Sequence, residues 1–361
     1  MTALNINQLR LQNQYLAHQR FTKPADIVRW LGAVQAQDYS GAKWALGQRL
    51  KGATDKIIEK AFTNGDIIRT HVLRPTWHFV APEDLRWMLD LTAKRIRMHT
   101  ATRLRFMELN DAIFTKCAVI ITRLLEGGKQ LARTDIAEAL KQGGIPTNEQ
   151  RFVHIMMELE LQQLICSGGR EGKQLTYALF DERVPKAPVF SKDEALATLA
   201  ERYFTAHGPA TLQDYTWWSG LTVADAKLGL EMAKEKFVSV EQNRAVYWIA
   251  RNSDIETSRS SSAYLLPNYD EYIVSYKDRS SVIKEKDMSK ADPRGTIFNH
   301  TLIIGEKVTG IWKREITKKA LEIEIFPFRP LSKAAEASVN AAAGRYRRFL
   351  GLKELKLTIK A

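Results

Sequence analysis

Gln35 and Gln37 are the pair of side chains whose type and spacing first suggest chemistry. They lie in Ala33-Val34-Gln35-Ala36-Gln37-Asp38-Tyr39-Ser40-Gly41, between two apolar helical segments at 27–31 and 43–50. Asp38 or Ser40 can cap the second helix, which places the glutamines where the first one ends. On a helix, residues i and i+2 point to nearly opposite sides, whereas on an extended backbone they share a face. If the chain uncoils here, two carboxamides project together into the space between the helices. A carboxamide does not titrate near neutral pH, but it offers both a donor and an acceptor. Such a pair can hold a water molecule, a sugar or a base edge. The competing reading is two polar residues in an exposed interhelical loop.

A second concentration of chemistry follows at 69–78, where Arg69, His71, Arg74, Trp77 and His78 set cations beside an aromatic. Arginines grip phosphates, and an aromatic ring can stack on a base or fill the gap that a displaced base leaves. Trp77 as a core residue and His78 as a satisfied strand histidine are the competing readings. Arg74 precedes Pro75 at a hairpin tip, so exposure is expected for it. Farther along, Lys277, Arg279, Lys313 and Arg314 can add phosphate contacts. Asp270 and Glu271 are adjacent and would point oppositely on a strand, so they do not form a paired-carboxylate site. A salt-bridge network is the expectation for them.

The elements that must position these residues read as a repeated pattern. Residues 5–21 read as a helix, and Thr54 can cap a helix at 56–62. β-rich runs at 67–73 and 76–80 flank Arg74-Pro75, giving helices followed by a two-stranded wing. A basic helix spans 84–98. The order of helices, strand, wing and strand recurs over 110–179 and again over 192–249, with Thr211 and Thr222 as caps in the third unit. A polar, serine-rich join covers 251–262. Beyond it, alternation at 269–276, 301–305, 308–313 and 321–326 reads as strands, followed by a helix at 332–350 and a last strand at 355–359. The expected fold is mainly α with small β wings: three tandem winged-helix units at 1–109, 110–188 and 189–260, and a C-terminal α+β unit at 261–361. Neither third helix is strongly basic, so a nucleic-acid partner would be expected on an assembled concave channel rather than on one recognition helix.

Composition narrows the partners. The chain has 361 residues and a net charge of +13, which argues for a polyanion such as nucleic acid. No apolar run reaches membrane-spanning length, and the N-terminus shows no secretory pattern, so a cytosolic location is expected. Two cysteines, Cys117 and Cys166, are too few and too far apart for a zinc site, and the seven histidines show no ligand spacing. Neither a metal nor a cofactor is expected, and no phosphate-binding glycine loop or Ser/His/Asp set points to another enzyme class.

The motif Val34-Gln35-Ala36-Gln37, preceded by Trp30-Leu31-Gly32, resembles the Gln-x-Gln element of the AlkZ-like DNA glycosylases, tandem winged-helix proteins related to the YcaQ branch. The resemblance recurs at His71-Val72-Leu73-Arg74-Pro75-Thr76-Trp77-His78-Phe79 and at Gln174-Leu175-Thr176-Tyr177-Ala178-Leu179 with Asp181-Glu182-Arg183-Val184-Pro185. It continues at Gly208-Pro209-Ala210-Thr211, Trp217-Trp218-Ser219-Gly220-Leu221 and Leu266-Pro267-Asn268-Tyr269-Asp270-Glu271-Tyr272. Tyr276-Lys277-Asp278-Arg279-Ser280 and Phe328-Arg329-Pro330-Leu331-Ser332 complete it, in order over nearly the whole chain. The resemblance implies a monofunctional glycosylase acting on N3- or N7-alkylated purines, including crosslinked ones, in double-stranded DNA. Such a base already carries positive charge and leaves without an acid catalyst. The enzyme then has to orient a water at C1′ and stabilise an oxocarbenium-like sugar. Gln37 is assigned to the water and Gln35 to positioning, with Asp38 as an alternative electrostatic partner. A monomer is expected. A non-catalytic winged-helix DNA-binding regulator and a winged-helix protein-interaction module are the competing functions.

Overall fold

The computed structural model describes residues 4–253, 261–293, 295 and 299–360. The chain begins with helices Ile6–Asn13, Pro24–Leu31, Tyr39–Gln48 and Asp55–Asn64. The last two start where short polar side chains satisfy free amides: Asp38 accepts from the Gly41 N–H and Thr54 from the Ile57 N–H. Strands Ile68–His71 and Trp77–Val80 then form an antiparallel hairpin. The glutamine segment joins it, because Val34–Gln35 is itself a strand, paired antiparallel with Trp77–Val80 through Val34 opposite Phe79 and Gln35 opposite His78. The long helix Pro82–Phe106 follows, with Pro82 at its first position, where the missing N–H costs nothing.

Two further sets of three helices and a hairpin come next. The first has helices Asp111–Leu125, Arg133–Gln142 and Glu149–Leu161 with strands Ile165–Glu171 and Gln174–Leu179. The second has helices Lys192–His207, Leu212–Ser219 and Val223–Ala233 with strands Phe237–Gln242 and Ala245–Ala250. The remaining chain is a five-stranded sheet in the order Glu354–Ile359, Ala320–Pro327, Lys307–Ile316, Thr301–Ile304 and Ala263–Leu266, with helix Lys333–Leu350 before the last strand.

Two expectations change. The N-terminal helix stops at Asn13, because the chain turns at Tyr15 with a positive φ while the buried Gln14 side chain bonds Tyr276 Oη. Residues 269–276 do not form a strand: Tyr269 has φ +64, and the Asp270 carboxylate caps a short helix, Glu271–Val274. Most of the serine-rich join lies outside the described residues.

The cores do not follow the sequence segments. Among the described residues, only 107–179 supply a hydrophobic cluster of their own, built on Phe114, Ile121, Leu140, Phe152 and Ile155. A second cluster joins Leu73, Leu85 and Trp87 to Leu199, Tyr203, Tyr215 and Trp218. A third joins Trp44 and Leu46 to Leu265, Trp312, Ile323, Tyr346 and Phe349. The first helices and first hairpin are therefore wedged between the third helical set and the C-terminal sheet.

Candidate active site

At that junction lies a cavity of about 1110 Å³. Its wall brings Gln35, Arg74, Arg95, His99, Trp217, Tyr269, Lys277 and Arg279 together from segments far apart in sequence. Arginines and lysine outnumber its one lining carboxylate, Asp292, which suits a cavity that takes an anionic polymer.

Gln35 is fixed from two sides. Its backbone N–H donates to Glu271 Oε1 at 2.7 Å, and its side-chain Oε1 accepts from Arg74 Nη2 at 3.1 Å. Glu271 is buried completely, and its other oxygen accepts from Trp218 Nε1 at 3.2 Å and from the Ser275 hydroxyl. Burial pushes this carboxyl above the usual range, while the Gln35 and Ser275 hydrogen bonds and nearby Arg74 pull it back. Arg74 is half-buried rather than exposed as the hairpin position suggested, and burial lowers its pKa from the usual guanidinium value.

Gln37 occupies a different position. It is exposed and does not line the cavity, and its Oε1 accepts only a long 3.4 Å hydrogen bond from the Trp77 N–H. The extended backbone is present, but only Gln35 of the two projects into this hollow. Asp38 is spent as a helix cap, accepting from the Gly41 N–H and the Ser40 hydroxyl at 3.0 Å each.

The hairpin cations need correction. Arg69 is buried, with Nε donating to the Ala36 carbonyl at 3.0 Å, so it braces the glutamine segment instead of facing a phosphate. His71 is buried with Nδ1 2.5 Å from Glu160 Oε2. His78 is fully buried, Nδ1 lies 2.9 Å from the Thr76 carbonyl, and burial with nearby Arg74 holds its pKa well below the ordinary value. Trp77 is half-buried, with the Arg69 guanidinium and the His71 ring each 4.3 Å from its own ring centre. Sequence reading missed why: a second hairpin strand, Ile165–Glu171, lies against these residues, with Ser167 Oγ accepting from the Arg69 N–H.

Of the C-terminal cations, Lys277 and Arg279 reach the cavity. Asp214, on helix Leu212–Ser219, accepts from the Lys277 N–H at 2.9 Å and so fixes the loop that carries both. Lys313 and Arg314 lie elsewhere; Arg314 Nη2 donates to Ser40 Oγ at 2.8 Å, and Lys313 is exposed near the Phe326 ring. Asp270 behaves as the salt-bridge reading expected, since both its oxygens bind the buried Arg49 guanidinium at 2.7 and 2.9 Å. Among the described residues, no His, Cys, Asp and Glu cluster has an arrangement that could hold a metal ion.

The sequence model of the family described as DNA glycosylase AlkZ-like matches residues 28–349. The chain belongs to the AlkZ-like DNA glycosylase family. It is a DNA glycosylase of DNA repair, and DNA is its partner. A curated relative, the interstrand DNA cross-link repair glycosylase of Streptomyces sahachiroi, is 22% identical over 379 residues, covering 97% of each chain. The solved structure of Streptomyces sahachiroi DNA glycosylase AlkZ superimposes with a TM-score of 0.81 over 100% of both chains at 18% identity, so this AlkZ-like protein shares its mixed α/β fold. Within the family's matched span, Glu271, Trp217, Arg95 and His99 are the site residues that sequence reading did not select. Glu271 was read only as part of a salt-bridge network, because its partner Gln35 is 236 positions away in sequence.

Proposed function

We propose that the protein hydrolyses the N-glycosidic bond of N3- or N7-alkylated purines in double-stranded DNA, acting as a monomer on tandem winged-helix units that together form a concave channel. The observation that carries this reading is Gln35, a non-titrating amide held by Arg74 and Glu271 on the wall of a cation-rich cavity large enough for a nucleotide. The alkylated base departs as a neutral molecule, so no acid is needed at the site. Positive charge develops instead on the sugar, where amide oxygens can face it and orient the attacking water.

Gln35 has its oxygen engaged by Arg74, which suits positioning of the sugar or of the second amide. Gln37 lies outside the cavity wall and among the described residues makes only a long hydrogen bond, so it keeps its capacity to bind the water once DNA is seated across that wall. Arg74, Lys277 and Arg279 grip phosphates at the cavity, with Lys313 and Arg314 extending the positive surface. The activity in the Streptomyces relative's name supports extending the substrates to crosslinked purines. The test is single-turnover release of free base from a duplex bearing N7-methylguanine. Wild type is expected to release it, and Gln37→Ala and Gln35→Ala to slow release about 100-fold or more, as when a preorganised polar group is removed from other active sites. No release by a wild-type protein that binds the duplex in a salt-sensitive manner would overturn the proposal.

A further inference from the structure

Among the described residues of the cavity wall, Trp217 is the large aromatic side chain with the most open surface: 39% of it is exposed, while Trp218 beside it is fully buried. Its ring is held in place, because its indole N–H donates to the Val274 carbonyl at 3.0 Å. Three cations lie over its ring, with Lys277 Nζ 4.6 Å, the Arg279 guanidinium 5.5 Å and the Arg74 guanidinium 6.0 Å from the ring centre. Arg74 is also the group that donates to Gln35 Oε1. Trp77, the aromatic that the sequence put forward, is the less open of the two, with Arg69 and His71 against its ring.

We infer that the exposed face of Trp217 is the platform on which the purine extruded from the duplex stacks, while Lys277 and Arg279 hold the flanking phosphates and Arg74 ties the platform to Gln35. This rests on the alkylpurine reading above. A fixed, partly open aromatic plane with cations beside it matches a nucleotide, whose base presents a flat π-face and whose phosphates carry the negative charge. A base must leave the stack before its sugar can be attacked, and a ring that receives it recovers part of the stacking lost in the duplex.

The test uses the full chain and two duplexes of one sequence. One carries N7-methylguanine on a sugar bearing 2′-fluorine, which blocks cleavage, and the other carries guanine. Wild type is expected to prefer the lesion duplex. Trp217→Ala should lose about 5- to 150-fold of affinity for it, the range of one base–aromatic stack, with guanine-duplex affinity and thermal midpoint little changed. Trp217→Phe, which keeps a ring, should restore most of the preference. On the cleavable duplex the same order should hold for base release. If Trp217→Ala keeps the full preference and the full release rate, or if Phe rescues nothing, the platform is overturned while the glycosylase reading stands. If wild type prefers the lesion through Trp217 yet releases no base, the platform stands and the glycosylase reading falls. A wild type with neither preference nor release overturns both.

Discussion

Arg74 connects the parts of the cavity that chemistry requires to act together. Its guanidinium donates to the Gln35 amide and lies 6.0 Å from the centre of the Trp217 ring, and the buried Glu271 carboxyl contributes attraction. A planar fork can serve two directions at once, whereas a lysine presents one compact charge on a flexible stem. Arg74→Lys is therefore expected to keep DNA affinity within about threefold but to slow base release about 10-fold, since charge survives and alignment does not. Single-turnover rates set beside equilibrium titration of the same duplex check this, and equal losses in both would contradict it. The neighbouring histidines show how a composition cue misleads at this scale. Arg69, His71 and His78 read as a DNA-facing cluster, but each is covered by protein and hydrogen-bonded to it. Residue type gave their chemistry, and only the second hairpin, about a hundred residues later, decides what they face.

At the scale of elements, the hairpin tip reaches the cavity because helix Leu212–Ser219 ends in Gly220, with φ +69. A Cβ there would collide with the Leu73 carbonyl and crowd the Arg74 side chain. Gly220→Ala should thus cost about 2 kcal/mol or more, from the left-handed backbone and the displaced tip together. It should also slow base release, because Arg74 moves with the tip; a calorimetric melt and a single-turnover assay measure the two effects. Much at this scale was legible locally. Asp38, Thr54, Thr211 and Thr222 each cap the helix that their spacing assigned to them. Capping is a contact across three residues, so the sequence contains all of it. Residues 269–276 were misread for the opposite reason. Their apolar alternation fits a strand, yet Asp270 binds Arg49, 221 positions away, and in that pose caps a helix instead.

For the whole molecule, the order of helices and hairpins could be read from the sequence, but the way the segments share their cores could not. His207 shows the energetic cost of that sharing. It is fully buried between segments, stacked on Tyr203, with Nε2 3.1 Å from the Leu31 carbonyl. Burial, with Arg49 and Arg10 nearby, lowers its pKa from the ordinary 6.5 to about 3. The unfolded chain therefore binds a proton that the folded one refuses. Stability from this group is complete above pH 6.5 and is lost progressively as pH falls toward 3, by ~5 kcal/mol in total. Thermal midpoints between pH 7 and pH 4 should fall steeply for wild type and less for His207→Gln, which stays neutral. Parallel slopes would show that His207 does not supply the acid sensitivity.

The third core also has a consequence for biosynthesis. Trp44 donates its indole N–H to the Leu265 carbonyl and Arg49 is neutralised by Asp270, so the first helices lack their cover until a stretch more than two hundred residues downstream has been made. A ribosome emits the chain from its N-terminus, and during that interval a buried-type arginine and a tryptophan face solvent or a chaperone. Premature stop codons before residue 263 should consequently yield insoluble fragments, even where they spare every residue of the cavity's hairpin.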